Sequence, residues 1–265
     1  MKGLCFILAL SLAVASLARA QNADEMAKQV ANPIASLTSV PVQFNDEYDA
    51  GANGDGHRLR INVQPVVPMS IGENWNLISR TIVPIIRQED MAPGAGEQSG
   101  IGDAMQSLFF SPKALTAGGW TWGIGPVFLL PTASDDLLGS DRWGTGPTCV
   151  ALRQTATGWT YGALANHIVS FAGDENRADV NATFLQPFVA RRIGPGRTVS
   201  MNVESTYDWE HDVWNAPVNL GISQILPIGK QLVSLQLGGA YYVEAPQGAP
   251  DWGARLTVTF LYPKR

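Results

Sequence analysis

The sequence predicts an all-β protein, a transmembrane antiparallel up-and-down β-barrel of about 12 strands. Three observations carry this. Polar and apolar residues alternate with a period of two through much of the chain, the mark of a sheet with two unlike faces. The alternating runs are roughly 9–14 residues long, against about 5–6 for an average globular strand and about 9–11 for a tilted strand crossing a bilayer. The connections alternate between tight turns and longer polar loops, as in bacterial outer-membrane barrels. Composition agrees: charged residues make up only 15% of the 265, Gly and aromatics are abundant, and beyond the first twenty residues no apolar run is long enough for a membrane helix.

Residues 1–20 read as a cleaved export signal. Lys2 supplies a short basic region, "LCFILALSLAVASLA" an apolar one, and Ala18-Arg19-Ala20 a small-x-small cleavage site. Removing Lys2 and Arg19 takes the net charge from −5 to −7, which argues against nucleic acid as a partner. It also removes Cys5 and leaves Cys149, so no internal disulfide and no cysteine-rich metal site is expected. Residues 21–36 form the next unit. Within them "NADEMAKQVANP" can make a two-turn helix capped by Asn22 or Asp24 and stopped near Asn32-Pro33. It is expected either as a plug in the periplasmic mouth or as a mobile leader.

Residues 37–265 are assigned to the barrel. Strands are expected near 37–46, 57–68, 75–88, 102–111, 120–131, 146–154, 158–172, 181–192, 197–209, 214–226, 231–244 and 251–262. The pattern is plain in "RLRINVQPV", where Arg58, Arg60, Asn62 and Gln64 alternate with Leu59, Ile61, Val63 and Pro65. In "DWGARLTVTFLY" Gly253, Arg255, Thr257 and Thr259 oppose Trp252, Ala254, Leu256, Val258 and Phe260. "SIGEN", "TATG", "IGPG" and "PIGK" are tight turns. "EYDAGANGDG", "EDMAPGAGEQSG", "TASDDLLGSDRWGT", "GDENRADV", "EHDV" and "APQGAPD" are the longer loops, and "SPKALTAGG" is long for a turn on the short side. A soluble sandwich or lipocalin-like barrel would also alternate, with its apolar face inside and shorter strands.

A charge facing lipid at the bilayer midplane costs roughly 2–4 kcal/mol, so charged residues on the polar faces are expected inside. Arg58, Arg60, Gln64, Arg80, Glu204, Asp208 and Arg255 are the lumen-lining candidates. They can form a cross-barrel ion-pair network, line a polar conduit, or do both. The eight Trp residues fall near expected strand ends, where amphipathic rings settle at headgroup level. Trp122, Trp143, Trp209, Trp214 and Trp252 are the interface candidates. The period-two phase turns the last three outward and leaves Trp75 and Trp159 undetermined. Trp122-Gly-Ile-Gly-Pro126 returns as Trp143-Gly-Thr-Gly-Pro147 around Asp135 and Asp136. Neither copy has phosphate-loop spacing. The echo is expected to place one Trp at each interface of a hairpin, with each Pro near a strand end.

No catalytic residue is expected. Asn166, His167 and Ser170 in "NHIVS" have an unsuitable spacing, since residues three apart on a strand point to opposite faces. No Gly-x-Ser-x-Gly elbow occurs. His57, His167 and His211 are far apart in sequence, and the acidic loops around His211 and over Asp174, Glu175 and Asp179 read as solvated, so neither metal nor cofactor is expected.

Long segments, "EMAKQVANPIASLTSVP", "NWNLISRTIVPII", "SGIGDAMQSLFFSPK", "WGIGPVFLLPTASDDLLG", "ALANHIVSFAGD", "DVNATFLQPFV" and "ESTYDWE", resemble the outer-membrane proteins grouped with the meta-pathway phenol-degradation family. The same family also circulates under the label "neuromedin U". The resemblance spans nearly all of the chain after residue 20. It implies an outer-membrane barrel of a Gram-negative bacterium, in contact with lipid and lipopolysaccharide and inserted by the outer-membrane assembly machinery. The chain departs from many such barrels in ending "FLYPKR", with Phe260 and Tyr262 in place of a terminal aromatic. The function expected is a passive channel or transporter for small solutes, hydrophobic or aromatic ones among them. The alternatives are a structural or surface-interaction barrel without transport and, further off, a lipid hydrolase.

Overall fold

The computed structural model describes residues 21–263 apart from 52, 92, 93 and 95. The expected export signal, 1–20, lies outside the described residues. A helix, α1, covers 21–30, and twelve strands follow. They are β1 (Thr38–Ala50), β2 (Gly56–Val63 continued by Val66–Ser70), β3 (Trp75–Glu89), β4 (Glu97–Ile101 continued by Ala104–Pro112), β5 (Trp120–Leu130) and β6 (Arg142–Gln154). Then come β7 (Trp159–Gly173), β8 (Asn181–Gly194), β9 (Arg197–Val203 continued by Ser205–Asp208), β10 (Val213–Asn215 continued by Pro217–Ile228), β11 (Gln231–Tyr242) and β12 (Trp252–Tyr262).

Each strand pairs antiparallel with its sequence neighbours, and β12 returns to β1 in continuous register from Thr38↔Tyr262 to Tyr48↔Trp252. The sheet therefore closes and leaves no edge, which is how a β-structure satisfies its backbone within lipid. Short turns gather at one end, with α1 and both ends of the strand series. Longer loops gather at the other.

Alternation does what the pattern requires. Leu220 of β10 and Leu237 and Tyr241 of β11 lie exposed on the outer wall, while Asn219 and Ser234 from the same two strands and Thr257 and Thr259 from β12 are buried inside. The interior differs from a uniformly polar lumen. On β3, β4, β6 and β7 the inward faces carry Ile78, Phe109, Val150, Leu152 and Leu164, which form one buried apolar cluster with Ile34. Ile34 belongs to the segment after α1, held in a turn by a hydrogen bond from its own amide to Asn32 Oδ1 (3.0 Å). A second apolar cluster joins Met26 and Ala27 of α1 to Ala35, Leu37, Ile225 and Leu261. The N-terminal segment thus packs inside the barrel at the short-turn end, and the apolar lining is what it packs on.

The start of one strand and the place of two prolines differ from expectation. β6 begins at Arg142, so Trp143-Gly-Thr-Gly-Pro147 lies within that strand instead of leading into it. Pro126 and Pro147 face each other in mid-strand register rather than near strand ends. The cause is steric. Gly125 and Gly146 let the Leu108 and His167 carbonyl oxygens approach to where a Cβ would stand only 1.8 Å away. The ladders skip at these points, between Ser107↔Val127 and Phe110↔Ile124 and between Thr145↔Val169 and Thr148↔Asn166. A residue without an amide hydrogen is tolerated where pairing is already interrupted.

Candidate functional site

A cavity of about 570 Å³ occupies the barrel interior. Its walls come from distant parts of the sequence brought to one level by strand closure. Arg60 and Gln64 project from β2, Arg80 and Ile82 from β3, Glu204 from β9 and Arg255 from β12. On the short-turn side the floor is Gln29 to Pro33, the end of α1 and the turn after it. At the other end the loop 131–141 folds against the inward faces of β3 and β4. There Gln88 donates to the Leu137 carbonyl (3.3 Å), and Leu138 is buried over Gly100 and Gly102.

Two carboxylates organise the charged groups. Glu47, almost wholly buried, accepts from Arg58 Nε at 2.6 Å, Arg60 Nη2 at 2.5 Å and the Tyr242 hydroxyl at 3.0 Å. Glu204 takes both arms of Arg255, at 3.1 and 3.0 Å, and a hydrogen bond from Gln186 at 3.2 Å. Arg255 Nε also donates to Asn45 at 2.8 Å. Arg80 stands apart: it makes no ion pair among the described residues and donates one hydrogen bond, to Gln64 Oε1 at 3.1 Å. Paired, hydrogen-bonded charges are the form in which ionised groups are tolerated away from water.

The lumen candidates therefore fall into three groups. Arg60, Gln64, Arg80, Glu204 and Arg255 line the cavity, and Arg58 lies above it on Glu47. Asp208 is elsewhere. It ends β9 at the long-loop rim, where it accepts from the Glu210 amide and from His211 Nδ1, both at 2.9 Å. Sequence reasoning missed Glu47, because it sits in "QFNDEYDA", where adjacent acidic residues blur the alternation. Its inward phase follows from Asn45, two residues earlier and equally buried.

The Trp side chains lie in two bands. Trp75, Trp120, Trp122 and Trp159 ring the short-turn end; Trp75 meets Trp122 edge-on with centroids 5.9 Å apart, and Arg191 sits over Trp159 at 4.6 Å. Trp143, Trp209, Trp214 and Trp252 ring the other end, with Trp252 stacked on Tyr48 at 4.6 Å and bonded to Asp49 at 2.8 Å. Trp75 and Trp159, whose direction the sequence left open, are exposed on the outer wall.

His167 hydrogen-bonds Thr183 (2.9 Å), whereas Ser170 bonds Asp179 (3.0 Å), so the two residues of the hydrolase alternative have separate partners. In the acidic loop Asp174 caps Asn176 and Asp179 takes Arg142 at 3.1 Å. The Asn176 backbone and side-chain N–H groups hold the Asp174 carboxyl below its ordinary value. Among the described residues no group of three or more His, Cys, Asp or Glu converges as metal ligands. No helix of the described residues is long and apolar enough to cross a membrane.

A closed barrel with an apolar outer wall, aromatic bands at both ends and a walled interior cavity defines an outer-membrane protein of a Gram-negative bacterium, with porin- or channel-like architecture. The fold is similar to the COG4313 outer membrane channel from Pseudomonas putida F1, with a TM-score of 0.66 at 16% identity over 85% of this chain and 94% of that one. It is also similar to the NanC porin, with a TM-score of 0.50 at 9% identity over 86% and 100% of the two chains. No family model matches the chain, and no curated protein matches it in sequence.

Proposed function

We propose that the protein is a passive channel for small solutes, hydrophobic or aromatic compounds among them, and that it belongs with the outer-membrane proteins of the meta-pathway phenol-degradation group. The observation that carries this reading is the cavity itself. A barrel serving only as a membrane scaffold has no need of a cavity of about 570 Å³ lined by charged groups, and interior space that side chains do not fill forfeits packing. The short-turn end faces the periplasm and α1 with residues 31–37 narrows that mouth, while the Arg and Glu side chains form the restrictive zone. The two Trp bands mark the membrane interfaces. Lipid, lipopolysaccharide and the outer-membrane assembly machinery are the remaining partners.

No energy source is needed. A solute moves down its gradient, and selectivity comes from pore width and the charges it passes. Single-channel recording of the refolded protein in planar bilayers tests the reading. Discrete conductance steps, with uptake of small aromatic solutes by liposomes, are expected. A folded, inserted barrel that passes neither ions nor any such solute would leave the structural alternative.

A further inference from the structure

The cavity has two unlike walls. On one, Arg60, Arg80 and Arg255 face Glu204; with Arg58 and Glu47 included, four guanidinium groups stand against two carboxylates. The excess is two positive charges. The unmatched group can be located. Arg255 is spent on Glu204, and Arg58 and Arg60 share Glu47, which leaves Arg80 with a single neutral acceptor. A guanidinium has five donors in a planar fork suited to a carboxylate, and Arg80 uses one.

The second wall begins beside it. Ile82 lies two residues from Arg80 on the same inward face, so it is about 7 Å further along the strand. Ile82 is in register with Met105 of β4, and Met105 with Leu129 of β5, which makes a continuous apolar row across three strands. All three residues line the cavity, and Phe184 lines it from β8.

We propose that this cavity is a binding and selectivity site for small organic monocarboxylates, with the carboxylate held by Arg80 and the apolar body laid across Ile82, Met105 and Leu129. The volume lies within the usual range of about 300–1,000 Å³ for small-molecule sites. Gln64 holds one arm of the Arg80 fork, so its free donors are set before the solute arrives. An inorganic anion would gain from the excess charge but leave the apolar row uncovered. A neutral compound of the same shape would leave Arg80 unpaired. A cation would meet two excess like charges.

This inference shares its cavity with the channel reading, and the experiment separates them. The probes are benzoate, benzyl alcohol and benzylammonium, titrated against the protein refolded in detergent by calorimetry and, in parallel, added to bilayer recordings in potassium chloride. Benzoate is expected to bind saturably, with the other two at least about tenfold weaker, the scale of one charge-assisted contact. Arg80→Gln should lose benzoate affinity about tenfold and shift the reversal potential in a salt gradient away from chloride. Arg80→Lys, which keeps charge but not the fork, should retain the chloride preference and lose part of the benzoate affinity. Ile82→Thr should weaken benzoate and leave chloride preference unchanged. Folding of each variant is checked by its heat-modifiable gel shift, and the three-probe comparison needs no variant. Equal binding of benzyl alcohol and benzoate, or unchanged benzoate affinity in folded Arg80→Gln, overturns the proposal. Benzoate binding with no current would refute the channel alone; current without benzoate binding would refute the site alone.

Discussion

Replacing Glu47 with Gln removes one charge from the lumen and almost no volume. Glu47 is 2% exposed and stands within 2.6 Å of Arg58 Nε and 2.5 Å of Arg60 Nη2. At an effective dielectric near 20, each such contact is worth about 4 kcal/mol of gross attraction. Desolvation of the ions offsets much of this, so the relevant quantity is the cost of breaking the cluster, about 3–5 kcal/mol for a fully buried pair. Arg58 and Arg60 keep side-chain exposures of 23% and 33%, and water reaching them favours the lower end. The expected loss is therefore about 3 kcal/mol. Urea unfolding of the barrel in lipid vesicles, followed by Trp fluorescence, would measure it, since the exposed Trp bands change environment on extraction. Arg58→Gln in the same background should return part of the loss, because it removes the guanidinium left without a partner. A loss below about 1 kcal/mol, or strict additivity of the two changes, would show that Glu47 does not hold these arginines together.

Gly125→Ala and Gly146→Ala should each prevent folding or cost more than about 3 kcal/mol, because the new Cβ would meet a backbone carbonyl oxygen that no side-chain motion can clear. Gly194→Ala, where nothing lies within 4 Å, is the matched control and should fold normally in the heat-modifiability assay. Deleting residues 21–36 should raise single-channel conductance several-fold, by removing the cavity floor from Gln29 to Pro33. Conductance equal to that of the intact chain would place the limiting constriction elsewhere. Trp252→Ala removes the stack on Tyr48 and the bond to Asp49 and should cost about 2 kcal/mol by vesicle unfolding.

Much of this architecture was legible because its physics is local. A strand has period two whatever its partners, and a wall between lipid and a lumen needs unlike faces, so "RLRINVQPV" and "DWGARLTVTFLY" declare their inner and outer sides unaided. Strand length and the alternation of turns with loops indicated closure and an even count, and the Trp residues fall at strand ends by the same reckoning. Arg60, Glu204 and Arg255 could be placed on inward faces by phase, and Arg80 by the cost of turning a charge toward lipid. Their partners could not. Glu204 and Arg255 are 51 residues apart and meet only because the sheet from β9 through β10 and β11 to β12 curls around the lumen. Tertiary structure also decided that α1 and Ile34 occupy the short-turn mouth, because whether an amphipathic segment packs depends on the apolar surface offered to it. It added to the repeated Trp-Gly-x-Gly-Pro, whose two Trp residues lie at opposite ends of the hairpin, a pair of mid-strand interruptions, since Gly125 and Gly146 answer to carbonyls on neighbouring strands. It left Arg80 as a guanidinium that makes no ion pair among the described residues, beside an apolar row. Periodicity assigns a side chain to a face; only the closed barrel determines what stands opposite it.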